Sequence, residues 1–265
     1  MSAIEQLLDI MRRLRDPRAG CPWDREQNYH SLVPYTLEEA YEVADAIEQN
    51  DLEHLPDELG DLLFQVVFYA QIGQEQGRFD FEDVVQRISG KLVRRHPHVF
   101  ADAMIDSVEE QTRAWEEHKR RERDRKATMG QAGILDGVSL ALPALVRAAK
   151  LQRRAARVDF DWPQIDGVLA KVREELAEIE VELQADGPPE RLAEELGDLL
   201  FSCVNLARHL QVEPEAALRT ANLKFEQRFH QMEAVLQATG GIEQASLAEM
   251  ETAWEAVKRS EKDPG

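Results

Sequence analysis

Cysteine is nearly absent from the 265-residue sequence, which contains only Cys21 and Cys203. Two thiols in different sequence contexts give neither a disulfide framework nor a thiolate metal cluster. We expect both thiols to be reduced and Cys203 to pack as a small apolar residue. Any metal ligands must therefore come from other side chains.

Long apolar runs are also missing. No eighteen apolar residues occur in succession, and no apolar run follows the opening segment 1–5. The sequence therefore predicts neither a membrane span nor a signal peptide. We expect a cytoplasmic protein. With 43% hydrophobic residues, the chain can bury the core of one large domain or two ordinary ones.

Positive charge is scarce as well, because 32 Lys and Arg residues stand against 51 Asp and Glu residues, a formal charge of −19. This balance argues against binding of a nucleic-acid polymer through its phosphates. A phosphorylated small molecule is still compatible with the charge. Its site would need divalent cations, or a few placed Lys and Arg residues, to reverse the local sign.

Strand-like alternation is rare, and apolar residues instead recur three and four positions apart along most of the chain. This period predicts an all-α protein. Prolines stand just before periodic segments, as expected for helix starts. They are Pro34, Pro56, Pro163, Pro188 and Pro189.

The sequence contains an internal repeat with a period near 136 residues. Residues 38–42 (EEAYE) correspond to 174–178 (EELAE), and 57–64 (DELGDLLF) correspond to 194–201 (EELGDLLF). Further matching pairs follow in the same order: Lys91 and Lys224, Arg95 and Arg228, Trp115 and Trp254, Lys119 and Lys258. We therefore predict two tandem homologous helical-bundle modules, 1–125 and 161–265, joined by a connecting segment, 126–160.

The second copy of the EExxE pattern places carboxylates beside an apolar helix stripe. Residues three apart lie on neighbouring turns, so Glu175 and Glu178 can direct their carboxylates at one point, while Glu174 points away. The stripe itself consists of Leu169, Val172, Leu176, Ile179 and Leu183.

The next helical segment, from Glu195 to Ala207, is apolar nearly all round, and such a helix is expected to be buried. Its polar strip consists of Glu195, Asp198, Ser202 and Asn205. Acids on a buried helix need a cation or a hydrogen-bond donor. Four carboxylates from two facing helices suit Mg²⁺ or Mn²⁺, and the absence of His from both motifs counts against a di-iron site.

A single EExxE pattern is usually a solvated helix face, so its pairing with ExxD and its repetition carry the metal prediction. The first module retains the corresponding acids Glu39, Glu42, Glu58 and Asp61. However, Gln65 and Phe68 replace Ser202 and Asn205 there. We therefore expect the second module to carry most turnover.

At these residues the sequence resembles the MazG family of nucleoside triphosphate pyrophosphohydrolases, which share a helical fold with the dimeric dUTPases. The resemblance covers nearly the whole chain. It includes 20–24 (GCPWD) with Gln27, 34–39 (PYTLEE), 96–100 (HPHVF), 150–152 (KLQ), 155–158 (AARV) and 160–162 (FDW).

The resemblance implies Mg²⁺-dependent hydrolysis of nucleoside triphosphates to monophosphate and pyrophosphate by a homodimer, with broad base tolerance. Metal ligands fall on Glu175, Glu178, Glu195 and Asp198. Substrate contacts fall on Lys171, Glu174, Glu194, Lys224, Arg228, Trp254 and Lys258, with a weaker first-module set of Lys91, Arg95, Trp115 and Lys119. Lys224 and Arg228 share a helix face that could meet the triphosphate, and Trp254 could stack on a base.

The expected chemistry is attack of water on the α-phosphorus, with the general base left open. A non-catalytic helical regulator that binds nucleotide or a protein partner is an alternative. A narrower substrate, dUTP or phosphoribosyl-ATP, is another, because base preference cannot be read from the sequence.

Overall fold

A computed structural model describes residues 1–101, 107, 110–111, 133–237 and 240–261. Over these residues the protein is helical and contains no strand, which confirms the predicted all-α class. None of the described helices combines the length and apolar character needed to cross a bilayer. The chain divides into two compact units, Met1–Lys126 and Ala127–Gly265.

The described part of the first unit is built around a helical hairpin of α3 and α4, which pack against each other. Capping boxes at Ser2 and Asp80 satisfy the free amides at the starts of α1 and α5. Prolines occupy the first turns of α2, α3, α4 and α6. The helices are α1 (Ala3–Leu14), α2 (Pro22–Glu26), α3 (Val33–Glu48), α4 (Leu55–Glu75), α5 (Phe81–Arg95) and α6 (Pro97–Phe100).

The second unit repeats this hairpin with α8 and α9, and a second helix pair, α10 and α11, follows it. Helix α7 packs against α9 and α10, so the segment 126–160 contributes a helix to the packed unit. A 3₁₀ turn, Ile242–Gln244, precedes α11. The helices are α7 (Ala144–Ala156), α8 (Ile165–Gln184), α9 (Pro189–His209), α10 (Pro214–Leu236) and α11 (Leu247–Ser260).

The first helix of each hairpin ends in the same way. Asn50 and Asp186 adopt left-handed backbone conformations, with φ of 58° and 51°, just after α3 and α8. The amides of Asp51 and Gly187 then each donate to the carbonyl five residues earlier, at 2.8 Å in both cases. This is a Schellman-type helix end, and its recurrence gives both acid-bearing hairpins the same local geometry.

The core of the first unit centres on Phe68 of α4, which is completely buried. Its ring meets those of Trp23 and Phe64 edge-on, at centroid distances of 6.4 and 5.7 Å. The Arg15 guanidinium lies over the Phe68 ring, 5.3 Å from its centroid. The other buried members of this cluster are Met11, Leu32, Val67 and Ile72.

Helix α9 differs from the prediction that it would be buried on every side. Leu196, Leu200 and Phe201 are 43–51% exposed, and Cys203 is exposed rather than packed. The buried residues of α9 are Glu195, Ser202, Val204 and Asn205. Because α7, α8 and α10 cover the side that bears the polar strip, Glu195, Ser202 and Asn205 of that strip face the interior, Asp198 stays exposed, and an apolar side faces outward.

Candidate active site

Three carboxylates meet where α8 and α9 face each other in the second unit. Glu175 of α8 and Glu195 and Asp198 of α9 each place one oxygen within 4.8 Å of the others. Glu175 is 4% exposed and Glu195 is 8% exposed, whereas Asp198 is accessible. Carboxylates this close and this buried repel one another unless positive charge lies among them.

Glu178, one turn after Glu175, is the fourth predicted acid, and it lies outside the group of three whose oxygens converge within 4.8 Å. A hydrogen bond with Glu175 raises the pKa of Glu178, and burial and the charge of Glu175 act in the same direction. The raised pKa shows that a further negative charge is unfavourable at this place. Glu178 is therefore electrostatically coupled to Glu175 and Glu195.

Lys171 supplies positive charge to one side of this acid cluster. Its Nζ lies 2.8 Å from Glu174 Oε1 and 2.7 Å from Glu175 Oε1. Hydrogen bonds to Glu174 and then Glu175 raise the pKa of the Lys171 ammonium group. Glu174 itself is largely exposed, in agreement with the expectation that it points away from the hairpin seam.

Arg191 supplies positive charge to the other side, and the sequence interpretation missed this residue. Its Nη2 lies 3.0 Å from Glu195 Oε1 and 3.2 Å from Glu182 Oε1, and its Nη1 lies 3.0 Å from Glu194 Oε2. The spacing to Glu194 and Glu195, three and four residues along one helix, was a usable signal for these contacts.

A second polar network lies at the far end of the polar strip. Arg208 donates to Asn205 Oδ1 from Nε at 3.0 Å and from Nη2 at 2.6 Å, and it also pairs with Asp161. His209 Nε2 lies 3.1 Å from Asp161 Oδ1. Burial acts to raise the pKa of Asp161, but the hydrogen bonds from Arg208 and His209 outweigh it and lower that pKa.

The predicted nucleotide contacts near the C-terminus lie on the α10–α11 pair. Arg228 binds both carboxylate oxygens of Glu261, and Lys258 Nζ lies 2.8 Å from Glu255 Oε1. Trp254 packs on the core of this helix pair, with its ring 5.5 Å from that of Phe225. Lys224 lies on α10, one turn before Arg228.

These C-terminal residues make no hydrogen bond or ion pair with the acid cluster among the residues described. The predicted site residues of the second unit thus form two separate groups, the acid cluster with its neighbours and the residues on α10 and α11. Of the weaker first-unit set, Lys91 and Arg95 lie on α5. Trp115 and Lys119 fall outside the described residues.

The first unit forms a comparable acid cluster between α3 and α4. Oxygens of Glu39, Glu42 and Glu58 lie within 4.8 Å of one another. Burial raises the pKa of Glu39, and the charges of Asp61 and Glu42 raise it further. Gln65 Nε2 lies 3.4 Å from Glu39 Oε1.

The two clusters differ in the cations beside them. The repeat aligns Tyr35 with Lys171 and His54 with Arg191, so the first unit has neither cation at these positions. His54 instead pairs with exposed Asp51, its Nδ1 2.9 Å from Oδ2. The four acids recur in the sequence of both units, but the three acids that converge and the cations beside them differ between the units.

Comparison with known proteins agrees with this repeated architecture. The family model described as the MazG nucleotide pyrophosphohydrolase domain matches residues 27–100 and again residues 165–232. The chain is 52% identical over 265 residues to a nucleoside triphosphate pyrophosphohydrolase of Escherichia coli, covering 99% of this chain and 100% of that protein. It is 42% identical over 255 residues to the nucleoside triphosphate pyrophosphohydrolase/pyrophosphatase MazG of Thermotoga maritima, covering 96% and 95% respectively.

A crystal structure of a MazG-related protein from Thermotoga maritima covers 44% of this chain and 98% of its own, with 34% identity and a TM-score of 0.37. The two family-model matches contain both acid-bearing hairpins. The chain belongs to the MazG nucleotide pyrophosphohydrolase family.

Proposed function

We propose that this protein hydrolyses nucleoside triphosphates to nucleoside monophosphate and pyrophosphate, with broad base tolerance and a requirement for Mg²⁺ that Mn²⁺ can meet. The observation that carries the proposal is the convergence of Glu175, Glu195 and Asp198 from two helices within 4.8 Å. The names of the two relatives support the same reaction class.

The side chains present fit a divalent cation. Carboxylate oxygens are the hard ligands that Mg²⁺ prefers, and two of these three acids are buried. The ammonium of Lys171 and the guanidinium of Arg191 form ion pairs with Glu175 and Glu195, and this supports a cluster that attracts positive charge. Glu178 would join the three acids in holding the metal.

The reaction forms a bond between a water oxygen and the α-phosphorus and breaks the bond from that phosphorus to the bridging oxygen, so that pyrophosphate leaves. When bound, Mg²⁺ would polarise the α-phosphate and lower the pKa of the attacking water. The carboxylates of Glu175, Glu195 and Asp198, with that of Glu178, would hold the cation. Lys171 supplies a positive charge next to Glu175.

We assign most of the turnover to the second unit. The first unit has an acid cluster but carries Tyr35, His54 and Phe68 where the second carries Lys171, Arg191 and Asn205. Phe68 is completely buried, so a core aromatic ring occupies the position that matches the Asn205 amide of the second unit. These three differences remove two cations and one amide from the first unit.

The proposed assembly is a homodimer. The outward side of α9 exposes Leu196, Leu200 and Phe201, and α8 exposes Leu176, each at 43–51%. Burying such apolar surface against a second copy is favourable. We expect light scattering of the purified chain to give twice the mass of 30.2 kDa, and a mass of one chain would contradict this assembly.

The reaction itself is tested by incubating the purified full-length chain with common and damaged nucleoside triphosphates and Mg²⁺. We expect pyrophosphate and monophosphate from several bases, and loss of both products when a chelator removes the metal. Release of single phosphate, or activity that survives chelation, would contradict the proposal. Activity confined to dUTP or phosphoribosyl-ATP would contradict broad base tolerance.

A further inference from the structure

The side chain of Asn205 is held in one orientation by Arg208. Both contacts come from guanidinium N–H groups, which can only donate hydrogen bonds. The amide oxygen of Asn205 must therefore face Arg208, and its NH₂ group must point away from it. No described residue accepts a hydrogen bond from Nδ2, and Nδ2 is not one of the fully buried unpaired side-chain atoms, although Asn205 as a whole is only 5% exposed.

Arg208 is itself fixed by Asp161, which lies in the segment between α7 and α8. The Arg208 side chain is 16% exposed and that of Asp161 is 22% exposed, so water competes only weakly for the pair. His209 gives Asp161 a second partner at 3.1 Å. The orientation of Asn205 thus rests on a chain of contacts rather than on a single hydrogen bond.

The free NH₂ group lies on the same face of α9 as the acids. Glu195, Asp198, Ser202 and Asn205 are spaced three, four and three residues apart, which places them along one side of a helix. Asn205 lies roughly 10 Å from Asp198 along the helix axis, at about 1.5 Å per residue. A triphosphate bound at the acids with its nucleoside toward the C-terminal end of α9 would bring the nucleoside, rather than the phosphates, to a group at this distance.

The first unit lacks every member of this arrangement on its matching helix. Phe68, Gln71 and Ile72 stand where the second unit has Asn205, Arg208 and His209. Gln71 donates to Glu75 at 3.0 Å and takes no part in the acid cluster. The acids are therefore shared by both units, but the oriented amide belongs to the second alone.

We propose that Asp161 and Arg208 are positioning residues that orient Asn205 so that its Nδ2 donates a hydrogen bond to the nucleoside part of the bound triphosphate. The role deepens, and rests on, the triphosphate hydrolysis proposed above. In this role the two ends of the polar strip contact different parts of the nucleotide. The acids act at the phosphates, and the amide acts at the sugar or base. The acceptor on the nucleoside is an oxygen or an unprotonated ring nitrogen, because Nδ2 is a donor.

The first test compares the wild-type chain with Asn205→Leu, a substitution of similar size that adds no charge. We expect KM for nucleoside triphosphates to rise about tenfold, as for loss of one hydrogen bond, while kcat changes little. Inhibition by inorganic tripolyphosphate, which has no nucleoside, should be unchanged. Equal weakening of tripolyphosphate inhibition, or an unchanged KM, would overturn the proposal.

The second test addresses the positioning residues. Arg208→Gln, which introduces the first-unit residue, should raise KM in the same direction, and Arg208→Lys should recover part of the loss because it keeps a cationic donor. Gln71→Leu is the matched control at the equivalent position and should leave KM unchanged. If Arg208→Gln fails to fold, Asn205→Leu still decides, since a wild-type KM for that variant would overturn the role of the amide and of the residues that orient it.

Wild-type turnover is measured first in both tests. A wild-type chain that releases no pyrophosphate from any nucleotide would contradict the proposed reaction itself. An active wild-type chain whose KM is insensitive to Asn205→Leu would contradict only the role of the amide.

Discussion

Replacing Asp198 with asparagine should lower pyrophosphate release by roughly 100-fold or more at fixed Mg²⁺, while the helix content stays unchanged. Removing even an outer partner of a metal ligand costs about 10–100-fold, and Asp198 is proposed as a direct ligand. The side chain is accessible, so the neutral amide fits without strain. The measurement is initial-rate pyrophosphate release, with circular dichroism to verify the helices.

The matched control is the pair Glu58→Gln and Asp61→Asn in the first unit, made in one chain. These residues occupy the same repeat positions as Glu195 and Asp198. Most activity should remain in this control. If the control lost activity while keeping its oligomeric state, or if Asp198→Asn kept full activity, the assignment of turnover to the second unit would be wrong.

Replacing Phe68 with alanine should lower the free energy of unfolding of the first unit by about 3–5 kcal/mol. The ring is 0% exposed and contacts Trp23, Phe64 and the Arg15 guanidinium, so its removal leaves a cavity lined by fixed groups. Urea unfolding followed by tryptophan fluorescence measures the change, since Trp23 lies next to the deleted ring.

Phe160→Ala is the control for this stability prediction. Phe160 is 81% exposed, so the same change of residue type should alter the free energy of unfolding by no more than about 0.5 kcal/mol. If Phe68→Ala and Phe160→Ala had equal effects, Phe68 would not be the centre of the first core.

The spacing of charged residues on single helices was the most informative feature of the sequence. It predicted the all-α class and the face shared by Glu195, Asp198, Ser202 and Asn205, because a helical period is a local property. The same three- and four-residue spacing also indicates the contacts of Arg191 with Glu194 and Glu195. Those contacts were missed only because Arg191 lies outside the motif.

Other features depend on contacts between distant segments and could not be read from local periodicity. The pairing of Arg208 with Asp161 joins residues 47 positions apart, and the bidentate contact of Arg228 with Glu261 joins residues 33 apart. The exposure of Cys203 and Phe201 also depends on which other helices pack against α9. Apolar composition marks a side chain as suited to burial, but packing decides which side of α9 is covered.

The exchange of Asn205 for Phe68 has an evolutionary consequence. In a single-copy module, the same helix must serve both function and folding. These demands conflict, because a buried polar amide contributes less to packing than an aromatic ring. Two copies relax this conflict, because one hairpin can accumulate stabilising substitutions while the other keeps its polar lining. The duplicated chain can thus carry a costly polar residue in one module while the other has a buried aromatic ring at the matching position.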